Sequence, residues 1–221
     1  IILDLRNNGG GSLRDVVRMS GLFIEQGPIV QVKSRDRRPD INADSDPRVQ
    51  YGGPLIVLVN GGSASASEIL ASAMQDYGRA VIVGANAETY GKATVQRFWD
   101  LDMTAKDPSV KPLGEMKVTI QKYYRITGKT IQLEGVKPDI LLPDSYDFLE
   151  FGERENPYPL SATTIEPVSF KQEAYHIADL GKLKANSKTR VSADPTFQKI
   201  AENAQRLRRQ KDKTTFPLQL D

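Results

Sequence analysis

Cysteine is absent from this chain of 221 residues, and histidine and tryptophan occur once each. The first absence removes thiol nucleophiles and cysteine-based metal sites. His176 stands in the polar stretch Glu173-Ala174-Tyr175-His176-Ile177-Ala178, far from the glycine-rich turns, so it reads as a surface or packing residue rather than the base of a Ser-His-Asp triad. No apolar run approaches the roughly 20 residues that cross a bilayer. Charge of one sign is lacking too: 30 basic and 28 acidic residues leave +2, which gives no electrostatic case for nucleic acid. A phosphate loop between Gly84 and Lys92 fails on its glycine spacing and on Ala93, where a hydroxyl residue would meet magnesium. Asp40, Asp44 and Asp46 lack the glycine and closing glutamate of a calcium loop. Neither a cofactor nor a metal is expected.

What is present suits a folded α/β domain with an appendage. With 39% hydrophobic residues the chain can bury a core. Apolar periodicity predicts strands at 1–5, 28–32, 55–59, 80–84 and 94–101, helices at 13–25 and 67–76, and a polar loop at 34–53. Such alternation favours strands covered by helices. Residues 115–125 alternate in the β manner, with Met116, Val118, Ile120 and Lys122 on one face, and Thr127-Gly128-Lys129 predicts a hairpin turn into a strand at 130–133. Residues 144–170, rich in Pro, Glu, Asp and Ser, read as a surface linker. Helical spacing from Phe197 to Leu207 makes the basic run Arg206 to Lys213 the solvated end of a helix.

The chemistry concentrates in two short segments. Asn60-Gly61-Gly62-Ser63-Ala64-Ser65-Ala66-Ser67-Glu68-Ile69 joins a buried strand to a helix, and its small residues allow a tight turn that exposes a hydroxyl near unpaired helix N–H groups. The plainer reading is a helix cap, with Ser67 capping and Glu68 complementing the dipole. Three serines let both hold. Without a usable histidine, lysine is the economical base, although its ordinary pKa of about 10.4 requires desolvation before it can act near neutrality. Lys92 follows Gly91 and precedes the β-rich run Ala93 to Trp99, where a loop enters a strand.

Asp4-Leu5-Arg6-Asn7-Asn8-Gly9-Gly10-Gly11, the run Ser63 to Glu68 and Tyr90-Gly91-Lys92 follow one another as in the C-terminal processing, or tail-specific, serine peptidases, and the chain resembles that family. Ala73 to Ala80 and Gly135-Val136-Lys137-Pro138-Asp139-Ile140 extend the likeness over residues 1 to 143. Ala193 to Gln198 and Arg209 to Lys213 are similar to the helical extension of the long periplasmic tail-specific proteases. The resemblance implies a crotonase/ClpP-like α/β peptidase core of mixed strands and helices at 1–143, a linker at 144–170 and a mainly helical C-terminal extension at 171–221. It places the nucleophile at Ser65, the general base at Lys92 and a lysine-holding glutamine at Gln96. The oxyanion donors it implies are the Ala66 N–H and one from the turn Gly9-Gly10. Two departures stand out. The loop 84–89 makes the stretch from Ser65 to Lys92 a little longer than usual, and Ala93 replaces a frequent second glycine, so its backbone must avoid positive φ.

The activity so implied is a Ser/Lys serine endopeptidase acting on unfolded or tail-exposed proteins with apolar C-termini, periplasmic or exported and envelope-associated. Protein or peptide substrates are the expected partners, with an adaptor protein or self-association beside them. Because Ile1-Ile2-Leu3-Asp4-Leu5 already has a buried-strand pattern, an upstream helical region, a PDZ domain and the first part of the core are expected to precede it. Two other classes stay open: a catalytically inactive scaffold or pseudo-protease, and a crotonase-like enzyme acting on a thioester.

Overall fold

Ile56-Val57-Leu58-Val59 carries no polar alternation, the pattern of a strand covered on both faces. In the computed structural model, which describes residues 1–85, 88–211 and 213–215, it is β4 (Ile56–Val59), an inner strand of a parallel sheet. That sheet is ordered β1-β4-β5-β8, with β1 at Ile2–Asp4, β5 at Val81–Gly84 and β8 at Ile140–Leu141. Leu3 lies opposite Val57, and Val57 opposite Ile82. A second, antiparallel sheet is ordered β3-β2-β7-β6, from β2 (Gly27–Lys33), β3 (Asp40–Asp44), β6 (Thr94–Asp100) and β7 (Glu115–Tyr124).

Two helices join the sheets. In α1 (Leu13–Gly21), Ser12 caps the start by accepting the Asp15 N–H at 3.2 Å. The helix stops at Gly21, short of the expected Glu25. The Leu22 N–H turns back to Met19 O, and the Asp44 carboxyl occupies the space a Gly21 Cβ would need. Helix α2 (Ala66–Asp76) is buried continuously from Ala66 to Met74 and touches β5, β2 and α1, so it lies at the centre of the core. A helix with small or apolar residues on every face has no side to present to water.

Two expectations are corrected. The polar 34–53 segment contains β3, whose sequence Asp-Ile-Asn-Ala-Asp gives little apolar signal because it is a short edge strand. Residues 130–133 form a turn instead of a strand, since Gly135 N–H closes on Ile131 O at 2.8 Å and Leu133 takes φ 67°.

The chain after β8 is fastened to the core by its backbone. Ile165 N–H donates to Gly128 O at 3.0 Å and Val168 N–H to Ile126 O at 2.9 Å, while Glu153 N–H reaches Tyr90 O at 2.8 Å. Phe170 packs edge-on against Tyr77, and Phe151 against Tyr90. Buried Arg79, without a carboxylate partner among the described residues, donates to Phe23 O and Tyr51 O and lies over the rings of Phe23, Tyr51 and Tyr175. Beyond this lie two largely exposed helices, α3 (Leu180–Ala193) and α4 (Pro195–Gln210), capped by Asp179 and Asp194. Arg208 and Arg209 close the last turn of α4, where cations suit the dipole.

Candidate active site

The loop after β1 and the loop after β4 are pinned to each other by Asn7 and Asn60. Asn60 Oδ1 accepts the N–H groups of Asn7 (2.9 Å) and Gly62 (3.0 Å), and Asn60 Nδ2 returns a bond to Asn7 Oδ1 at 2.9 Å. Ser63 is fully buried: its Oγ donates to Leu5 O at 2.8 Å and accepts the Asn60 N–H. Ser67 Oγ donates to Asn8 O at 3.0 Å. Two of the three serines are therefore committed to the scaffold. Ser65, between them, adopts φ 57° and ψ −116°, a conformation that L residues occupy only when their surroundings enforce it.

That turn delivers Ser65 to the N-terminus of α2, with Ala66 as the first helical residue. The N–H groups of a first turn have no intrahelical acceptor. Gly10, at φ 105°, packs against the turn so closely that a Cβ would lie 2.7 Å from Ser65 Cβ and 2.9 Å from Ala66 N. Its own N–H donates to Asn8 Oδ1 at 3.0 Å. A Cβ on Gly9 would meet nothing within 4 Å, and Gly9 lines the adjoining pocket with Asp4, Arg6 and Asn60.

Glu68, read from the sequence as a first-turn acid, holds the second segment in place. Its fully buried carboxylate accepts the N–H groups of Ser65 (2.8 Å), Gly91 (2.7 Å) and Lys92 (3.1 Å) and the Thr89 hydroxyl (2.5 Å). Burial pushes its pKa up to about 7, against the opposing pull of those donors. Lys92 itself precedes β6, which begins at Thr94, so the geometry of one continuous strand from Lys92 to Gln96 does not apply. The pairing of β6 with β7 also shifts between Val95 and Gln96. Ala93 N–H donates to Gln132 Oε1 at 2.8 Å, and positive φ falls on Gly91, at 84°.

Ser65, Ala66, Lys92 and Gln96 nevertheless line one cleft of about 310 Å³, together with Gly11, Leu13, Ile69, Phe98 and Tyr123. Its walls are mixed, with apolar side chains beside the hydroxyls of Ser65, Thr94 and Tyr123, the amines of Lys92 and Lys117 and the Gln96 amide. A larger groove of about 890 Å³ lies between α1 and β3; it shares Leu13 with the cleft but includes none of Ser65, Ala66, Lys92 and Gln96. His176 is exposed and does not line the cleft. Tyr123 was missed by the sequence reading. The β alternation drew attention to Met116, Val118, Ile120 and Lys122, and the odd-numbered face on which Tyr123 lies gave no separate signal.

The family described as Peptidase family S41 matches residues 1–142, and the C-terminal domain of tail specific protease matches residues 146–221. The tail-specific protease of Haemophilus influenzae is 42% identical over 205 residues, covering 91% of this chain and 29% of that protein. The carboxy-terminal processing protease CtpA of Bacillus subtilis is 34% identical over 206 residues, covering 90% of this chain and 41% of that protein. Among solved structures, the photosystem II D1 C-terminal processing protease superposes with a TM-score of 0.55 at 33% identity, over 64% of this chain and 34% of that one. The chain thus spans less than half the length of these relatives. With a match across all eight strands and both core helices, the chain belongs to peptidase family S41.

Proposed function

We propose that this chain carries the Ser/Lys centre of a serine endopeptidase that processes proteins from exposed C-terminal tails. The observation that carries the reading is the shared carboxylate of Glu68, which ties the Ser65 turn to the Lys92 turn while both side chains face one cleft. The Lys92 amine takes the Ser65 proton as Oγ attacks the peptide carbonyl, and the resulting ammonium donates that proton to the departing amine. The Ala66 N–H and a donor from the Gly9-Gly10 turn face the oxyanion. Water, deprotonated by Lys92, then releases the acyl group. Gln96 positions the amine from the cleft wall.

The substrates we infer are unfolded or tail-exposed proteins with apolar C-termini; the names of the relatives support processing at a tail or C-terminus. An exported or periplasmic setting belongs to the same reading, as do upstream recognition by a PDZ domain and an adaptor or self-association. The test uses the full-length protein with an unfolded substrate ending in either an apolar or a charged tail, alongside labelling of the active serine with a fluorophosphonate. Cleavage selective for the apolar tail, with the label on Ser65, is expected. Labelling at another serine, or no cleavage of either substrate, would overturn the assignment.

A further inference from the structure

Tyr123 sits in β7 with only 3% of its surface exposed, yet it forms part of the cleft wall. It engages the lysine turn twice, by its N–H to Ala93 O at 3.0 Å and by its hydroxyl to Lys92 O. Ser65 lines the same cleft as this ring. A phenol has one proton to give. Because that proton goes to the Lys92 carbonyl, Tyr123 Oη is left to its cleft neighbour Ser65 only as an acceptor.

We propose that Tyr123 is a positioning residue of the proposed Ser/Lys centre, fixing the Ser65 rotamer by accepting its O–H while anchoring the Lys92 backbone through the Lys92 carbonyl. This rests on the function proposed above. Burial pushes the phenol well above its usual value near 10, so it stays neutral and has no role as a base. It orients the serine without deprotonating it. When substrate enters, the Ser65 hydroxyl turns from Oη to the Lys92 amine, and the proton leaves with the amine as Oγ bonds the carbonyl carbon. Without Tyr123 Oη, the hydroxyl spreads over its staggered rotamers and the Lys92 carbonyl loses its partner.

The experiment compares Tyr123→Phe with Tyr124→Phe in the full-length protein. Tyr124 is the adjacent, equally buried tyrosine, but its hydroxyl bonds Thr163 Oγ1 at 2.8 Å, away from the cleft. In Tyr123→Phe, kcat and the rate of Ser65 labelling by a fluorophosphonate are expected to fall together by about ten- to a hundredfold. KM should stay within about threefold, and Tyr124→Phe should retain wild-type kinetics. Unchanged kcat and labelling, an increase in kcat, an equal loss in Tyr124→Phe, or a Tyr123→Phe protein that no longer unfolds cooperatively would each overturn the proposal. Ser65→Ala is run in parallel: hydrolysis surviving there would remove the Ser/Lys reading itself, whereas an inactive Ser65→Ala beside a fully active Tyr123→Phe would remove only the role of Tyr123.

Discussion

Ser65 N–H and Lys92 N–H donate to the same oxygen, Oε2 of Glu68, at 2.8 and 3.1 Å. The two residues thus share a backbone anchor although they belong to different loops. A shift of one turn is felt by the other through a single atom.

Glu68 gives the first prediction, and its two consequences run in opposite directions. Its folded pKa of about 7 exceeds its ordinary value of 4.5, so the folded state binds the extra proton between those values. The stability associated with that proton is fully present below about pH 4.5 and is lost as pH rises through 7, an effect on the order of 3 kcal/mol. The ionised form, however, is the one that accepts four donors. Activity is expected to rise through neutrality while stability falls. Denaturant unfolding at pH 5 and pH 8 checks the slope, which should flatten in Glu68→Gln. A wild-type slope in that variant would count against Glu68 as the titrating group.

The three serines separate by what they hold. Ser65→Ala is expected to abolish hydrolysis with an unchanged melting temperature. Ser63→Ala should destabilise the fold by about 1–3 kcal/mol, because it leaves Asn60 N–H without its partner and takes one of two donors from Leu5 O, which keeps the Asn8 N–H. Ser67→Ala loses one bond to Asn8 O and should retain most activity. Thermal melts beside initial rates distinguish them, and turnover persisting in Ser65→Ala would remove its assignment.

Lys92→Arg retains a cation of similar length that does not give up its proton near neutrality. It should be as inactive as Lys92→Ala if the amine abstracts a proton. Substantial turnover by the arginine variant would instead make position 92 a positioning charge, an outcome that single-turnover rates would reveal.

The glycine turn predicts an asymmetry. Gly10→Ala forces a Cβ to within 2.7 Å of Ser65 Cβ at a φ of 105°, so both activity and stability should suffer. Gly9→Ala has open space and should fold normally. Equal losses of melting temperature in the two variants would contradict the packing described here.

The sequence made the Ser65 and Lys92 segments visible because their glycines and small residues are local signals, and the buried strands were visible through uninterrupted apolar runs. What joins the segments was not local. Glu68 sits where a capping acid belongs, but Thr89, Gly91 and Lys92 reach it from more than 20 positions away. The extended reading of Ile131-Gln132-Leu133 failed for a related reason: Leu133 N–H is drawn to Gly91 O at 2.9 Å, and tertiary contacts override β propensity. Strand β3 hid in a polar loop because it is a five-residue edge strand whose two apolar residues, Ile41 and Ala43, lie on its exposed face between polar neighbours. Helix α2 was legible throughout, since its small residues and its apolar residues all serve burial.

Gln132 has a consequence for how a protein of this kind can change by recombination. Its side chain accepts the Ala93 N–H beside Lys92 and donates to Leu160 O and Glu153 Oε1. Exchanging residues 146–221 for a foreign C-terminal module would therefore remove the far end of a relay that begins next to the lysine. A graft joined at the boundary of the two family matches would inherit the catalytic residues without their brace, whereas one that carries residues 150–170 along with the core would keep it. The unit of inheritance is longer than the segment that contains the chemistry.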